Sequence, residues 1–253
     1  MEQPESSLKH SKIPALKRLL VDDNINIDEA VVHVMRLKTI NPDVHPRFNE
    51  TLRVCLSQIV GYRQLQAEVE SVRKVQYSSD NLDHEALLMQ LWSTLKPDTQ
   101  LKSRLSPQWT ELGFQGDDPM TDFRGMGLLG LRNLLFFVSS YTDQARSMLT
   151  RSFHPQYGYS FAIVGINLTS LAYSMLTAGH LKTHFYNLVD GCPQLTHFHH
   201  VYCYLFVEFD KFWFDERPRD IMEFNRVKTK FQKQVIHKLK NKSTILINEL
   251  IPC

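Results

Sequence analysis

The sequence predicts an all-α fold: a single multi-helix globular domain preceded by an amphipathic N-terminal helical extension. Three observations predict it. Apolar residues recur at helical spacing through most of the chain, no segment alternates apolar and polar residues over the length of a strand, and no turn dipeptide separates two alternating runs. With 253 residues, 43% of them apolar, the chain can bury one substantial core. Lys and Arg number 29 against 27 Asp and Glu, a net charge of +2. That balance excludes a disordered polyelectrolyte and offers no cationic excess for nucleic acid, so no nucleic-acid partner is expected.

The elements follow in chain order. Residues 1–25 are polar and uneven and are expected to form a flexible segment, in which Leu16, Leu19 and Leu20 can dock a short helix. Residues 26–79 read as the helical extension packed on the core, with Leu52, Leu56, Ile59, Leu65, Val69 and Val72 forming one stripe over 50–75. The main domain is placed at 80–240 and a C-terminal tail at 241–253. Within the domain, Leu87, Leu88, Leu91, Trp92 and Leu95 mark a helix over 82–95. Ser106 and Pro107 read as N-cap and first helical residue of a short helix that carries Trp109 and Leu112 and that Gly113 closes. Thr142 and Asp143 read as the cap of a helix ending near Arg151.

Residues 159–178 are apolar nearly all round and Gly179 stops them. The length approaches a membrane span, but Ser160, Asn167, Thr169, Ser170 and Ser174 mark it as the central buried helix of a bundle. Thr196 reads as the cap of an aromatic-rich helix over 196–214, and Pro218 as the start of the last helix, running to about residue 240. Cys55, Cys192, Cys203 and Cys253 lie far apart, and the opening Met1-Glu2-Gln3-Pro4-Glu5 has no apolar stretch of the secretory kind. Reduced thiols and a cytoplasmic protein, peripheral on intracellular membranes at most, are expected.

Several motifs suggest chemistry and do not carry it. Gly125-Met126-Gly127-Leu128-Leu129-Gly130 matches the dinucleotide glycine pattern, but that pattern needs a preceding strand and a polar turn stands there instead. Small residues packing closely on a helix face explain it better, and no cofactor is expected. His84-Glu85 lacks the second histidine of a zincin helix. His180, His184, His197, His199 and His200 gather near Cys192 and Cys203 without paired ligand spacing, so no metal is expected. No nucleophile elbow or phosphate-binding lysine loop is present. The C-terminal helix is locally basic, with Arg226, Lys228, Lys230, Lys233, Lys238, Lys240 and Lys242. It reads as a solvated face, and alternatively as a peripheral contact with an anionic membrane.

The segment 109–134 stands apart: aromatic residues, glycines and carboxylates crowd around one arginine, Arg124. If Thr121 or Asp122 caps the helix that follows, Arg124 lies in its first turn, where a cation opposes the helix dipole. Asp117, Asp118 and Asp122 can then pair with it. The arrangement is either an ion-pair cluster that fixes the turn, or a guanidinium held for another surface that the glycines allow to come close.

This segment resembles the signature of the ELMO domain family, especially its ELMO-domain-containing branch. The pattern W-x3-G-F-Q-x2-D-P-x2-D-F-R-G-x-G-x3-L-x2-L is filled at Trp109, Gly113, Phe114, Gln115, Asp118, Pro119, Asp122, Phe123, Arg124, Gly125, Gly127, Leu131 and Leu134. Gly61-Tyr62, the turn at 79–81, the stretch 159–171 and the run 208–213 are similar to the same branch. The resemblance implies a regulator rather than a self-contained enzyme, namely a GTPase-activating protein for GTP-bound Arf-family or Arf-like small GTPases. It implies that Arg124 is the residue on which activation depends. Asp122 and Asp118 would orient it, Gly125 and Gly127 would keep the approach clear, Gln115 would help position water or cap the turn, and Phe123 and Trp109 would support the segment. The alternative is a non-catalytic binding module or scaffold of the ELMO type, with Arg124 structural.

Overall fold

A computed structural model describes residues 2–22 and 25–247. Among these residues there are helices and no strand. The α-helices in chain order are α1 (Glu2–Lys9), α2 (Pro14–Arg18), α3 (Ile27–Leu37), α4 (Pro46–Lys74), α5 (Leu82–Leu95), α6 (Gly127–Ser140), α7 (Thr142–Ser152), α8 (Phe161–Thr177), α9 (Lys182–Leu188), α10 (Leu195–Glu216) and α11 (Phe224–Leu239). Two 3-10 helices, Pro107–Leu112 and Pro119–Phe123, fill the space between α5 and α6.

The hub of the bundle is α6. It packs against α4, α5, α7, α8 and α10, and nine of its apolar side chains or glycines are buried, from Gly127 and Leu128 through Leu131 and Leu134 to Val138. The helix α8, buried on most sides as its composition requires, lies on α6 and α10. Their close approach depends on Gly165, where an added Cβ would stand 2.5 Å from Leu134 and 2.9 Å from the Tyr202 hydroxyl. A polar pin joins the same three helices: Asn133 Nδ2 donates to Thr169 Oγ1 at 3.1 Å, and Asn133 Oδ1 meets His199 Nδ1 at 2.6 Å. Burying these groups would be costly without such partners, so the pin specifies how the helices register.

Some boundaries differ from the sequence reading, each for a local reason. The N-terminal segment, expected to be flexible, carries α1 and α2 in the structure, and Leu8, Leu16 and Leu19 are buried. Leu16 and Leu19 thus dock as their spacing suggested. The helix α10 is capped by Gln194, not Thr196: the Gln194 side chain and the His197 ring bond reciprocally to each other's backbone N–H groups. Thr142 is inside α7 and its hydroxyl donates to the Val138 carbonyl, so it is not the cap. The last helix starts at Phe224, because Asp220 caps a separate 3-10 turn (Ile221–Glu223) after Pro218. Among the described residues no single helix is long and apolar enough to cross a membrane, and α8 with α9 passes only as a pair bent by 82°.

Candidate functional site

The segment between α5 and α6 is built on an aromatic file. Trp92 of α5 meets Trp109 edge-on at 5.4 Å, Trp109 meets Phe114 at 5.8 Å, Phe114 meets Phe123 at 5.7 Å, and Phe123 meets Tyr77 at 5.4 Å. Trp109 and Phe123 are fully buried. The Trp109 indole donates to the Arg104 carbonyl at 2.9 Å, so its polar edge is satisfied as well. These two residues pack beneath the segment from inside. The first 3-10 helix opens and closes as expected: Ser106 Oγ accepts from the Gln108 N–H at 3.2 Å, and Gly113 stops the turn at φ +81°. A Cβ on Gly113 would lie 2.3 Å from the backbone nitrogen of Phe161, at the start of α8.

The carboxylates do not do what the sequence suggested. Asp118, rather than Thr121 or Asp122, is the cap, and it caps the second 3-10 helix by accepting from the Met120 N–H at 2.9 Å. The ion-pair partner of Asp118 is Arg104, at 2.9 Å, and Arg104 also reaches Glu85 at 2.6 Å. The Tyr77 hydroxyl bonds to the same Glu85 carboxylate. Burial works against the charge of Arg104, and the Glu85 and Asp118 carboxylates overcome it, leaving its pKa raised. The cluster that fixes the turn is therefore Arg104–Glu85–Asp118–Tyr77, and Asp118 does not orient Arg124. Sequence reasoning missed Arg104, Tyr77 and Glu85 as a group, since nothing in their spacing announces a pairing across three elements.

Asp122 is committed too. Its Oδ2 accepts from the Gln115 N–H at 2.8 Å, tying the loop after the first 3-10 helix to the second. Burial pushes its carboxyl above the ordinary value, with the Gln115 bond and the charge of Arg124 acting in the other direction. Asp122 thus senses Arg124 through space without pairing to it.

Arg124 lies between the second 3-10 helix and α6, not in the first turn of a longer helix. It is exposed, and among the described residues it makes no hydrogen bond or ion pair. The Gln115 side chain, close by through the Asp122 stitch, is likewise exposed and without a hydrogen bond. Gly125 is exposed, and an added Cβ there would meet nothing within 4 Å. Neither packing nor backbone angle demands glycine at 125.

Gly127 is different, and its assignment is corrected. It is buried at φ +53°, and a Cβ would stand 2.2 Å from the Arg73 carbonyl oxygen and 2.4 Å from that of Val75. Gly127 seats the start of α6 on the end of α4, where the Leu128 N–H donates to the Val75 carbonyl at 2.8 Å. It does not clear an approach to Arg124. At Gly130, the third glycine of the pattern, an added Cβ would stand 3.3 Å from the Phe123 ring, so this glycine serves close packing as read from the sequence.

The histidines near Cys192 and Cys203 have structural partners. His184 Nδ1 accepts from the Leu246 N–H at 3.0 Å, and His200 Nδ1 meets the Tyr141 hydroxyl at 3.0 Å. Burial holds the imidazoles of His184 and His199 down to about 4, so both rings are neutral near neutral pH. On the basic C-terminal face the charges are mostly taken. Arg226 pairs with Glu223 and Glu216, Lys230 pairs with Glu216 at 2.6 Å, Lys228 bonds Asn167 at 3.4 Å, and Lys238 bonds the Tyr204 hydroxyl at 3.0 Å.

Known proteins resemble this chain over most of its length. ELMO domain-containing protein 2 from Homo sapiens is 53% identical over 231 residues, covering 91% of this chain and 79% of that protein. ELMO domain-containing protein 1 from Pongo abelii is 50% identical over 254 residues, with 94% and 78% covered. ELMO domain-containing protein B from Dictyostelium discoideum is 41% identical over 180 residues, with 71% and 62% covered. No solved structure matches. The family description ELMO/CED-12 matches residues 67–228, a span that holds the end of α4, the aromatic file, the Arg104 cluster and Arg124. With that match and relatives at half identity or more, this chain belongs to the ELMO/CED-12 family.

Proposed function

We propose that this protein is a GTPase-activating protein that supplies Arg124 in trans to a GTP-bound small GTPase of the Arf or Arf-like class. Family membership supports the coarser part of this reading, involvement in small-GTPase regulation. The observation that carries the finer part is the state of Arg124: exposed, unpaired among the described residues, and carried on a turn whose carboxylates at Asp118 and Asp122 are already engaged elsewhere.

Phosphoryl transfer spreads negative charge over the γ-phosphoryl oxygens, and catalysis there is positioning plus electrostatic stabilisation. An arginine already tied to carboxylates would have to give them up to reach that charge. Arg124 has none to give up. The fixed fork of a guanidinium can engage two oxygens through two parallel N–H bonds from separate nitrogens, a planar geometry that a lysine ammonium does not offer. Gly125 beside it leaves room for another backbone, and the unbonded amide of Gln115 supplies a donor and an acceptor on the same surface. Lys233, Lys240 and Lys242, without partners among the described residues, supply the peripheral contact with an anionic membrane.

The test is single-turnover hydrolysis by a panel of GTP-loaded Arf and Arf-like proteins, each alone, with this protein, and with Arg124→Lys. The expected result is acceleration of at least one member by the wild type, falling by about 10³-fold or more with Arg124→Lys, in line with the worth of an arginine supplied in trans. Acceleration of no member would favour a non-catalytic binding module, and equal acceleration by Arg124→Lys would leave activation in place and remove Arg124 from it.

A further inference from the structure

The Arg124 turn is held from one side by the end of α4. Arg73, in the last turn of α4, donates through Nη1 to the Gly125 carbonyl at 3.4 Å. Among the described residues it is the one side chain hydrogen-bonded to the backbone of 124–126. The rest of its guanidinium is occupied. Nε and Nη2 donate to Glu70 Oε2 and Oε1 at 2.6 and 2.9 Å, a bidentate pair, and the group lies over the Tyr173 ring at 5.2 Å from the centroid. The Tyr173 hydroxyl donates to Glu70 at 2.8 Å, closing the cluster from α8. The Arg73 and Tyr173 hydrogen bonds hold the Glu70 carboxyl down to about 2, so the acceptor stays ionised throughout the neutral range.

Stability alone gives little reason for this arrangement. A pair three residues apart on a helix surface stabilises only weakly, and an exposed ion pair often contributes nothing measurable. What the cluster does achieve is orientation. Three contacts on α4 and α8 fix the guanidinium, and the fourth is aimed at the carbonyl immediately after Arg124. The same end of α4 receives Gly127, so the turn is braced at 125 by a side chain and at 127 by the backbone.

We infer that Arg73 is a positioning residue for Arg124: held by Glu70 and Tyr173, it fixes the turn so that the Arg124 guanidinium is presented to the bound GTPase in one direction. This inference rests on the reading of Arg124 as the activating residue. A small misplacement of a catalytic group costs as much as about 10²-fold in rate, so a contact of modest stability can matter greatly to hydrolysis.

The experiment compares wild type, Arg73→Gln, Arg73→Lys and Glu70→Gln in single-turnover hydrolysis, using the Arf or Arf-like protein that responds to the wild type and varying the concentration of this protein. Arg73→Gln is expected to lower the saturating rate by about tenfold or more. The half-saturating concentration should stay within about twofold, and Tm should move by less than about 2–4 °C. Arg73→Lys keeps the charge but cannot serve both Glu70 and Gly125, so it should recover little, and Glu70→Gln should lower the rate in the same direction by less. An unchanged saturating rate, or a loss matched by equal losses in Tm or half-saturating concentration, would overturn the inference. A second readout needs no GTPase: amide hydrogen exchange at 124–127 in the protein alone should be faster by about tenfold in Arg73→Gln. Unchanged exchange would also overturn it. If the wild type accelerates no GTPase, the reading of Arg124 falls, while the exchange result still decides whether Arg73 holds the turn.

Discussion

Along α11 most of the positive charges have partners, with Arg226 and Lys230 on carboxylates and Lys228 and Lys238 on polar groups of α8 and α10, and Lys233 is the exception among the described residues. In the turn between Asp118 and Gly127 the division is the reverse. Asp118 is taken by Arg104 and Asp122 by the Gln115 N–H, and the cation nearest to both along the chain, Arg124, is left unpaired. A count of charges along the sequence makes α11 look like the binding surface and the turn look like a neutral cluster. The contacts invert that impression, because a charge already neutralised by its own fold has little left to offer a partner, whereas a single unpaired guanidinium on a rigid base has its full field available.

The comparison can be broken most severely at the base of the turn. Gly127→Ala would force a side chain into a left-handed conformation and against the carbonyl oxygens of Arg73 and Val75 at the end of α4, and should lower stability by about 2–4 kcal/mol in denaturant titration. A mild effect there would mean that the turn is not braced on α4. Next comes the committed arginine: Arg104→Met leaves the half-buried Glu85 and Asp118 carboxylates without their partner and should cost about 1–2 kcal/mol, less than a fully buried pair because water reaches the site. A loss of stimulated hydrolysis by Arg104→Met beyond what its stability loss explains would show that the two arginines are not divided between fold and function. The smallest effect is expected on α11 and just beyond it. Lys233→Gln, Lys240→Gln and Lys242→Gln together should change stability by no more than about 0.5 kcal/mol. They should weaken co-sedimentation with vesicles containing anionic lipid, and undiminished co-sedimentation would remove the membrane contact from the account.

Much of the architecture could be read directly from residue pattern. Helical periodicity located α4, α5, α8 and α10, and the glycines at 113 and 179 ended their helices where φ turns positive. Caps were harder. Gln194 and Asp220 cap through side-chain bonds, while Thr196 and Pro218 carry the stronger local start signals, so local propensity chose the wrong residue. The N-terminal leucines are too few to outweigh a polar segment until α4 is there to receive them.

At the candidate site the sequence could single out Arg124 and the aromatic residues that anchor it. It could not say which carboxylate serves which arginine. That pairing is decided by long-range packing, which brings Glu85 of α5 to Arg104 and Arg73 of α4 to Gly125, across 19 and 52 residues of chain. The two glycines flanking Met126 look equivalent in the motif. Only the position of α4 separates Gly127, which has no room for a side chain, from Gly125, which has room to spare.

The central claim is that Arg124 acts on the transition state of a bound GTPase. The measurement that meets it most directly is the affinity of this protein for the responsive GTPase in its GTP form and in its GDP–aluminium fluoride form, which mimics the transferring phosphoryl group. Transition-state analogues bind about 10²-fold or more tighter than ground states when the contacts belong to the transition state. The account predicts such a gain for the wild type, its disappearance in Arg124→Lys, and little change between the two proteins in the GTP form. An equal gain in both proteins, or no gain in the wild type, would contradict it.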